Sequence, residues 1–159
     1  MSAIARLSGM DIKDTLAFLV GTWEVERSID DHRSATRGLF VGVGELRREP
    51  SSRVGEAVVR AIYDEEGELQ LGDHVGSARR HLEYRGNEDG SVSLYFLDGR
   101  HFVDLDLVGG ICNVTHRCNQ DSYHISVAVS SMQSYVERWR VIGPNKDYEA
   151  RTRYTRVPG

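Results

Sequence analysis

The chain has 159 residues, enough for one domain with a substantial core and too few for two comfortable ones. Hydrophobic residues make up 40% and charged residues 28%, with both signs mixed throughout, which is typical of a soluble globular domain rather than a disordered chain. The net charge of -4 gives no reason to expect a nucleic acid partner.

No apolar run reaches the roughly 20 residues of a membrane span, and the N-terminal MSAIARLSGMDIKD lacks the apolar core of a signal peptide. We therefore expect a cytoplasmic protein without a membrane partner, and leave a homodimer open. Cys112 and Cys118 fall on one predicted strand, about 20 Å apart at roughly 3.3 Å per residue, too far for a disulfide. Both are expected to be free thiols.

A short helix is predicted over about 11–20, with Asp11 as N-cap and apolar residues at helical spacing. From Gly21 onward, turn compositions separate short strands. The predicted strands cover 21–30, 37–48, 55–64, 67–72, 78–86, 91–98, 100–108, 111–118, 122–131, 134–142 and 147–157. The whole chain, 1–159, is thus predicted to form one all-β domain, an antiparallel up-and-down β-barrel of about 8–10 strands, with a β-sandwich as the alternative.

In the first strand, Trp23 and Val25 share a face with Arg27. A buried guanidinium needs a partner, so either an internal carboxylate meets Arg27 or the barrel holds water and an anionic ligand. A bend after Val25 that turns Arg27 to solvent is the alternative.

In CNVTHRCNQDSYHIS, residues 112–126, His116 and Cys118 share the apolar face of one strand, and Tyr123 shares that of the next. We expect His116 to exchange protons at neutral pH, with Tyr123 or Asp121 to orient it; a structural histidine and a turn-forming aspartate are the alternatives. No closed zinc motif is present, so no metal is expected.

Further polar and aromatic side chains are predicted to face a cavity that fixes the orientation of a small ligand. Lys146, at the tip of a predicted hairpin, is expected to be solvated unless that turn folds over the barrel mouth. The ligand-binding candidates are Trp23, Arg27, Phe96, Arg100, His101, Cys118, Trp139 and Tyr148.

FLVGTWEVER, residues 18–27, resembles the opening of the calycin proteins, the lipocalins and fatty-acid-binding proteins. The resemblance implies a short helix leading to a tryptophan, here Trp23, that packs under a basic residue of the last strand, here Arg153 or Arg156. The Gly-Thr-Trp is also similar to that of nitrobindin-type haem barrels, which implies haem with His116 or His101 as axial ligand, although EVER departs from their glycine-rich continuation.

The whole chain resembles a small, largely uncharacterised family of bacterial and fungal domains. Four motifs carry this resemblance: Gly-Thr-Trp, Asp-Gly-Arg-x-Phe, His-x-Cys-x-x-Asp-x-Tyr and Gly-Pro-x-Lys-Asp-Tyr. They occur here at residues 21–23, 98–102, 116–123 and 143–148.

The sequence thus favours a barrel that binds a small apolar or aromatic molecule. We expect a cofactor-independent acid-base enzyme, an isomerase, cyclase or hydrolase, in which Arg27 clamps an anion, His116 moves a proton and Tyr123 stabilises an oxyanion. The alternatives are a non-catalytic carrier and a haem-binding barrel.

Overall fold

A computed structural model describes residues 12–50 and 58–159. In these ranges the chain forms one short helix and ten strands. The elements are α1 Thr15–Leu19, β1 Gly21–Asp31, β2 Thr36–Arg48, β3 Arg60–Leu71, β4 His74–Gly86, β5 Val92–Tyr95, β6 His101–Leu105, β7 Ile111–Cys118, β8 Asp121–Ser131, β9 Ser134–Ile142 and β10 Asp147–Arg156. No helix in the described part of the chain is long and apolar enough to cross a membrane.

The ten strands form one antiparallel sheet in the order β6-β5-β4-β3-β2-β1-β10-β9-β8-β7. Its end strands, β6 and β7, lie side by side, with the rings of Phe102 and His116 5.1 Å apart between centroids, although no ladder joins them in the described ranges. The sheet therefore curls into a nearly closed barrel. The prediction of an all-β antiparallel barrel with a short N-terminal helix is confirmed.

The helix closes one end of this barrel. Asp14 caps it, because its carboxylate accepts a hydrogen bond from the Ala17 backbone N–H at 3.1 Å. Leu16, Phe18 and Leu19 are buried against the core. The helix is thus shorter than predicted; Asp11 and the start of the strand predicted over 55–64 lie outside the described residues.

Trp23 occupies the closed end, as the calycin resemblance implied. The Arg156 guanidinium lies 4.2 Å from its ring centroid and donates hydrogen bonds to the carbonyls of Val20, at 3.0 Å, and Phe18, at 2.6 Å. The predicted contact with a basic residue of the last strand is therefore confirmed, and Arg156 provides it.

The segments 55–64 and 67–72 were predicted as two strands separated by a turn, and this is wrong. Residues 60–64 of the first segment and 67–71 of the second belong to one strand, β3, in which Gly67 pairs directly with Gly42 of β2. A Cβ atom on either glycine would lie 2.3 Å from a carbonyl oxygen of the opposite strand. The two glycines therefore mark a close approach of two backbones inside a continuous ladder rather than a turn.

Candidate functional site

A layer of charged residues crosses the inside of the barrel. The inward alternation of β1 brings in Arg27, whose side chain is 13% exposed. Its guanidinium donates to both carboxylate oxygens of Glu65, at 2.9 and 3.0 Å, and its Nε donates to Thr152 Oγ1 at 2.8 Å. The prediction that Arg27 points inward is confirmed, and an internal carboxylate is its partner.

Glu65 is shared by two arginines. Its side chain is 2% exposed, accepts a hydrogen bond from the Tyr63 hydroxyl at 2.8 Å and lies 3.8 Å from the Arg80 Nη2. Burial alone would raise the pKa of this carboxyl group, but the hydrogen bond from Arg27 and the charges of Arg80 and Arg27 outweigh it, and the pKa is lowered. Glu65 is therefore held as a carboxylate.

Arg80 is less completely paired than Arg27. Its side chain is 27% exposed, and its Nη2 donates to the Tyr154 hydroxyl at 3.4 Å. The Tyr154 hydroxyl donates in turn, at 3.5 Å, to buried Glu137. The Arg80 Nε is buried, and no described residue accepts a hydrogen bond from it. Burial, reinforced by the charge of Glu137, raises the pKa of Tyr154 to about 12, so this hydroxyl keeps its proton.

A cavity of about 300 Å³, which we call the inner cavity, opens above this layer. Asp31 and Leu71 end their strands beside it, so it faces the end of the barrel opposite α1. Trp139 lines it, and the indole Nε1 of Trp139 is buried, again with no acceptor among the described residues. The lining residues are Arg27, Ile29, Asp31, Leu69, Leu71, Arg80, Glu137, Trp139, Tyr148, Ala150 and Thr152.

The inner cavity can therefore hold an apolar body and offer donors to its polar atoms. The four charged side chains, Arg27, Arg80, Glu65 and Glu137, balance in charge. Each of the three nitrogens of Arg27 donates to a protein group, whereas the Nε of Arg80 has no acceptor among the described residues. A second space of about 210 Å³ is also lined by Arg27 and Arg80.

The predicted catalytic residues lie in a different part of the barrel. The His116 ring is half-buried between the rings of Phe102, at 5.1 Å, and Tyr123, at 5.9 Å between centroids. Burial, and then the charge of His101, lower the pKa of His116. Neither His116 nor Tyr123 is among the described residues that line the inner cavity. Trp139 lies between them and Arg80: its ring centroid is 6.1 Å from that of Tyr123 and 5.6 Å from the Arg80 guanidinium carbon.

Lys146 joins the two other predicted catalytic residues at the barrel mouth. Its Nζ donates to the Tyr123 hydroxyl at 2.8 Å and lies 3.1 Å from the Asp121 carboxylate. These two hydrogen bonds raise the pKa of Lys146. The Lys146 side chain is 43% exposed and stays partly solvated, but the β9–β10 turn folds back over the start of β8, as the alternative required, and Asp121 pairs with Lys146 instead of with His116.

Three of the predicted ligand-binding residues do not line the inner cavity. Trp23 is packed into the closed end. Arg100 is exposed and donates to its neighbour Asp98 at 2.7 Å, because Asp98 and Arg100 flank a tight turn. His101 was placed inside the barrel by alternation, but it is 48% exposed and bonded to Asp104 at 2.9 Å. A register shift between β5 and β6 breaks the alternation there.

Of the other predicted ligand-binding residues, three line the inner cavity and two lie elsewhere in the barrel. Trp139 and Tyr148 line the inner cavity together with Arg27. The Phe96 ring packs against Phe102, the neighbour of His116, with ring centroids 5.0 Å apart, and Cys118 is half-buried at the end of β7. Both cysteines are free thiols, as predicted.

Sequence reasoning missed Glu65, Arg80 and Glu137. The alternation of side chains along a strand could have placed two of them inside the barrel. Arg80 is two residues before the buried Leu82, and Glu137 lies between the inward-facing Tyr135 and Trp139. Glu65 was hidden because its segment had been interpreted as a turn.

The described residues provide no place for a metal ion, since no group of three or more His, Cys, Asp or Glu side chains is arranged to hold one. The inner cavity also lacks a histidine, cysteine or methionine among its described lining residues that could be an axial haem ligand. His101 bonds to Asp104 outside the barrel. Neither His116 nor His101, the axial ligands that the nitrobindin resemblance implied, lines the inner cavity.

Fold and site together define a small antiparallel barrel with a polar layer and a cavity inside it. A solved structure with the same architecture is the S-type phycobiliprotein lyase CPES from Guillardia theta, with a TM-score of 0.66 and 10% identity over 94% of each chain. The redesigned β-barrel mFAP1, solved bound to DFHBI, has a TM-score of 0.41 and 9% identity over 89% of this chain and 97% of that chain.

The chain belongs to the family of unknown function DUF6314, whose model matches residues 19–156. No curated protein matches the sequence significantly. Membership of an uncharacterised family agrees with the resemblance found in the sequence, while the four motifs remain a prediction.

Proposed function

We propose that the protein binds a small aromatic or otherwise apolar molecule in the inner cavity, and that a carboxylate, carbonyl or phenolic oxygen of this molecule faces Arg80 and Trp139. The observation that carries the proposal is that two residues lining the cavity, Arg80 and Trp139, each bury a donor, Nε and Nε1, that no described residue satisfies. Buried donors without acceptors cost about 1–3 kcal/mol each. A ligand oxygen would remove that cost.

The rest of the wall supports an apolar body for this ligand. Ile29, Leu69, Leu71 and Ala150 present aliphatic surface, and the Trp139 ring offers a face for stacking. Arg27 donates to Glu65 and Thr152 below the cavity, so the guanidinium donor that remains available to a ligand is the Nε of Arg80.

The binding prediction is tested with anilinonaphthalene sulfonate, an aromatic anion whose fluorescence reports transfer into an apolar site. Arg80→Gln is expected to lower its affinity roughly 10- to 100-fold, because a hydrogen bond to a charged group contributes about 1.5–3 kcal/mol. Arg80→Lys keeps the charge but loses the Nε donor, so an intermediate loss is expected.

Arg153→Gln is the matched control, because Arg153 is exposed on the outer face of β10 and the substitution removes the same charge. Its affinity for the probe should equal that of the wild-type protein. An Arg80→Gln variant that is folded by circular dichroism and binds the probe as tightly as wild type would contradict the proposal.

A second candidate function is acid-base catalysis with His116 as the proton acceptor. The lowered pKa of His116 favours it, since the imidazole is then neutral at pH 7 and able to take a proton. Tyr123, hydrogen-bonded by Lys146, would supply the donor to an oxyanion, and Asp121 would position Lys146. The S-type phycobiliprotein lyase from Guillardia theta, which has the same barrel architecture, is consistent with this candidate.

The catalytic candidate is tested on the molecule that co-purifies with the protein, identified by native mass spectrometry and returned to fresh protein. If His116 is the base, His116→Gln should lower turnover about 10²-fold or more while affinity stays within a few-fold. Turnover of the wild-type protein should rise with pH through the lowered pKa of His116 and then level off. Recovery of the molecule unchanged from wild-type protein eliminates catalysis and leaves a carrier.

A further inference from the structure

A second concave region lies outside the barrel and is separated from the inner cavity by the sheet itself. It is a groove of about 640 Å³, which we call the outer groove, on the outward face of β1, β10, β9, β8 and β7. Apolar residues such as Trp139 and Ala150 border it only from strand positions whose side chains turn to the barrel interior. Polar side chains therefore form its walls.

One register row crosses the outer groove from strand to strand. Ser28 of β1 pairs with Arg151 of β10, Arg151 with Arg138 of β9, Arg138 with Ser126 of β8, and Ser126 with Asn113 of β7. Hydroxyl, guanidinium, guanidinium, hydroxyl and amide groups follow each other in that order. Every member of this row can donate hydrogen bonds, and none is a carboxylate.

Arg138 and Arg151 are direct neighbours of like charge. Cross-strand pairs of like charge destabilise a sheet. Both side chains are exposed, and neither forms a hydrogen bond or an ion pair with any described residue.

The next row along the groove is built differently. There Arg140 forms ion pairs with Asp147, at 2.7 Å, and with Glu149, at 3.5 Å. Carboxylate partners are thus present for Arg140 and absent for Arg138 and Arg151 among the described residues.

We propose that the outer groove binds the phosphate group of a small phosphorylated molecule, with Arg138 and Arg151 as its ligands. Neighbouring strands are about 4.8 Å apart, so two guanidinium forks from paired positions can converge on one tetrahedral oxyanion. The Ser28 and Ser126 hydroxyls flank the pair on either side. The bound anion would offset the repulsion between the two arginines.

The groove is much larger than one phosphate group, so an organic part must fill the remainder. Thr115, His124, Arg140 and Glu149 line that remainder with donors and acceptors. Such a wall suits a hydroxyl-rich body rather than an apolar one. The ligand class is therefore a phosphorylated polyol or sugar, distinct from the apolar ligand of the inner cavity.

The proposal is tested by thermal unfolding in the presence of glycerol phosphate, with ionic strength held constant by sodium chloride and glycerol as the uncharged control. At about ten times its Kd, glycerol phosphate should raise the Tm of the wild-type protein by roughly 3–6 °C. In the double variant Arg138→Gln/Arg151→Gln the rise should vanish. Arg153→Gln, on the same face of β10 but outside the groove lining, should keep the full rise.

Without added anion, the double variant should unfold at a temperature no lower than wild type, because the repulsion between the two arginines is gone; this shows that it is folded. A smaller rise with inorganic phosphate than with glycerol phosphate supports recognition of the organic part, and an equal rise assigns the groove to free phosphate. No rise in the wild-type protein, or the same rise in the double variant, would overturn the proposal. Loss of probe binding in the inner cavity does not bear on it.

Discussion

Replacing Glu65 with glutamine is expected to lower the free energy of unfolding by about 3–5 kcal/mol. The reason is that Glu65→Gln leaves the buried guanidinium of Arg27, and that of Arg80, without the carboxylate between them. A neutral amide can accept only part of the hydrogen bonds that the carboxylate accepts from Arg27 and Tyr63. Equilibrium unfolding in urea measures the loss.

Glu66→Gln is the matched control, because Glu66 is the next residue in β3 and its mostly exposed side chain forms a surface ion pair with Arg79. Its cost is expected to stay within about 0.5 kcal/mol. If the two variants lose equal stability, Glu65 is not the carboxylate on which the charged layer depends.

The pH dependence of stability follows from the lowered pKa of Glu65. The ordinary pKa of a glutamate is 4.5 and the folded value lies below it, so the unfolded chain binds the proton more readily. The stabilisation is complete above pH 4.5 and is lost as pH falls through the folded pKa. Glu65→Gln should therefore flatten the stability profile in this acidic range.

Replacing Trp23 with alanine is expected to cost about 3–5 kcal/mol. The Trp23 side chain is 1% exposed and packs edge-on against Tyr135, with ring centroids 4.9 Å apart. Its indole N–H also donates a hydrogen bond to the Leu19 carbonyl at 2.9 Å, which fixes the end of α1. The Arg156 guanidinium packs over the Trp23 ring. The substitution opens a cavity and loosens the contact that closes the barrel.

The chain contains one other tryptophan, and it serves as the control. Trp139 is half-buried at the wall of the inner cavity, and its indole N–H has no acceptor among the described residues. Trp139→Ala should therefore cost clearly less stability than Trp23→Ala in the same urea titration. Equal costs would show that Trp23 has no special role in closure.

Alternation along single strands predicted much of the barrel interior. The apolar faces assigned to β1, β7 and β8 are the buried ones, and Arg27 points inward as β1 required. Local patterns are reliable here because a side chain on a regular strand has only two directions available. The same rule failed at His101, where a register shift between β5 and β6 breaks the alternation.

Which inward-facing residues meet is not a local property. Arg27 and Glu65 are 38 positions apart and come together because Gly42 and Gly67 let β2 and β3 continue past a close approach. An EEG segment is equally compatible with a turn, so the sequence concealed the partner of Arg27. The separation of His116 from Arg80 by Trp139 likewise depends on the register across several strands.

The binding of a small molecule in the inner cavity is tested most directly by the two indole N–H signals in a ¹⁵N-correlated NMR spectrum. Trp139→Phe assigns them, and anilinonaphthalene sulfonate is then titrated into the wild-type protein. The signal of Trp139 should shift strongly, because its indole gains an acceptor, while that of Trp23, already bonded to Leu19, stays in place. Saturable binding of the probe with the Trp139 signal unmoved would place the ligand elsewhere and contradict the proposed site.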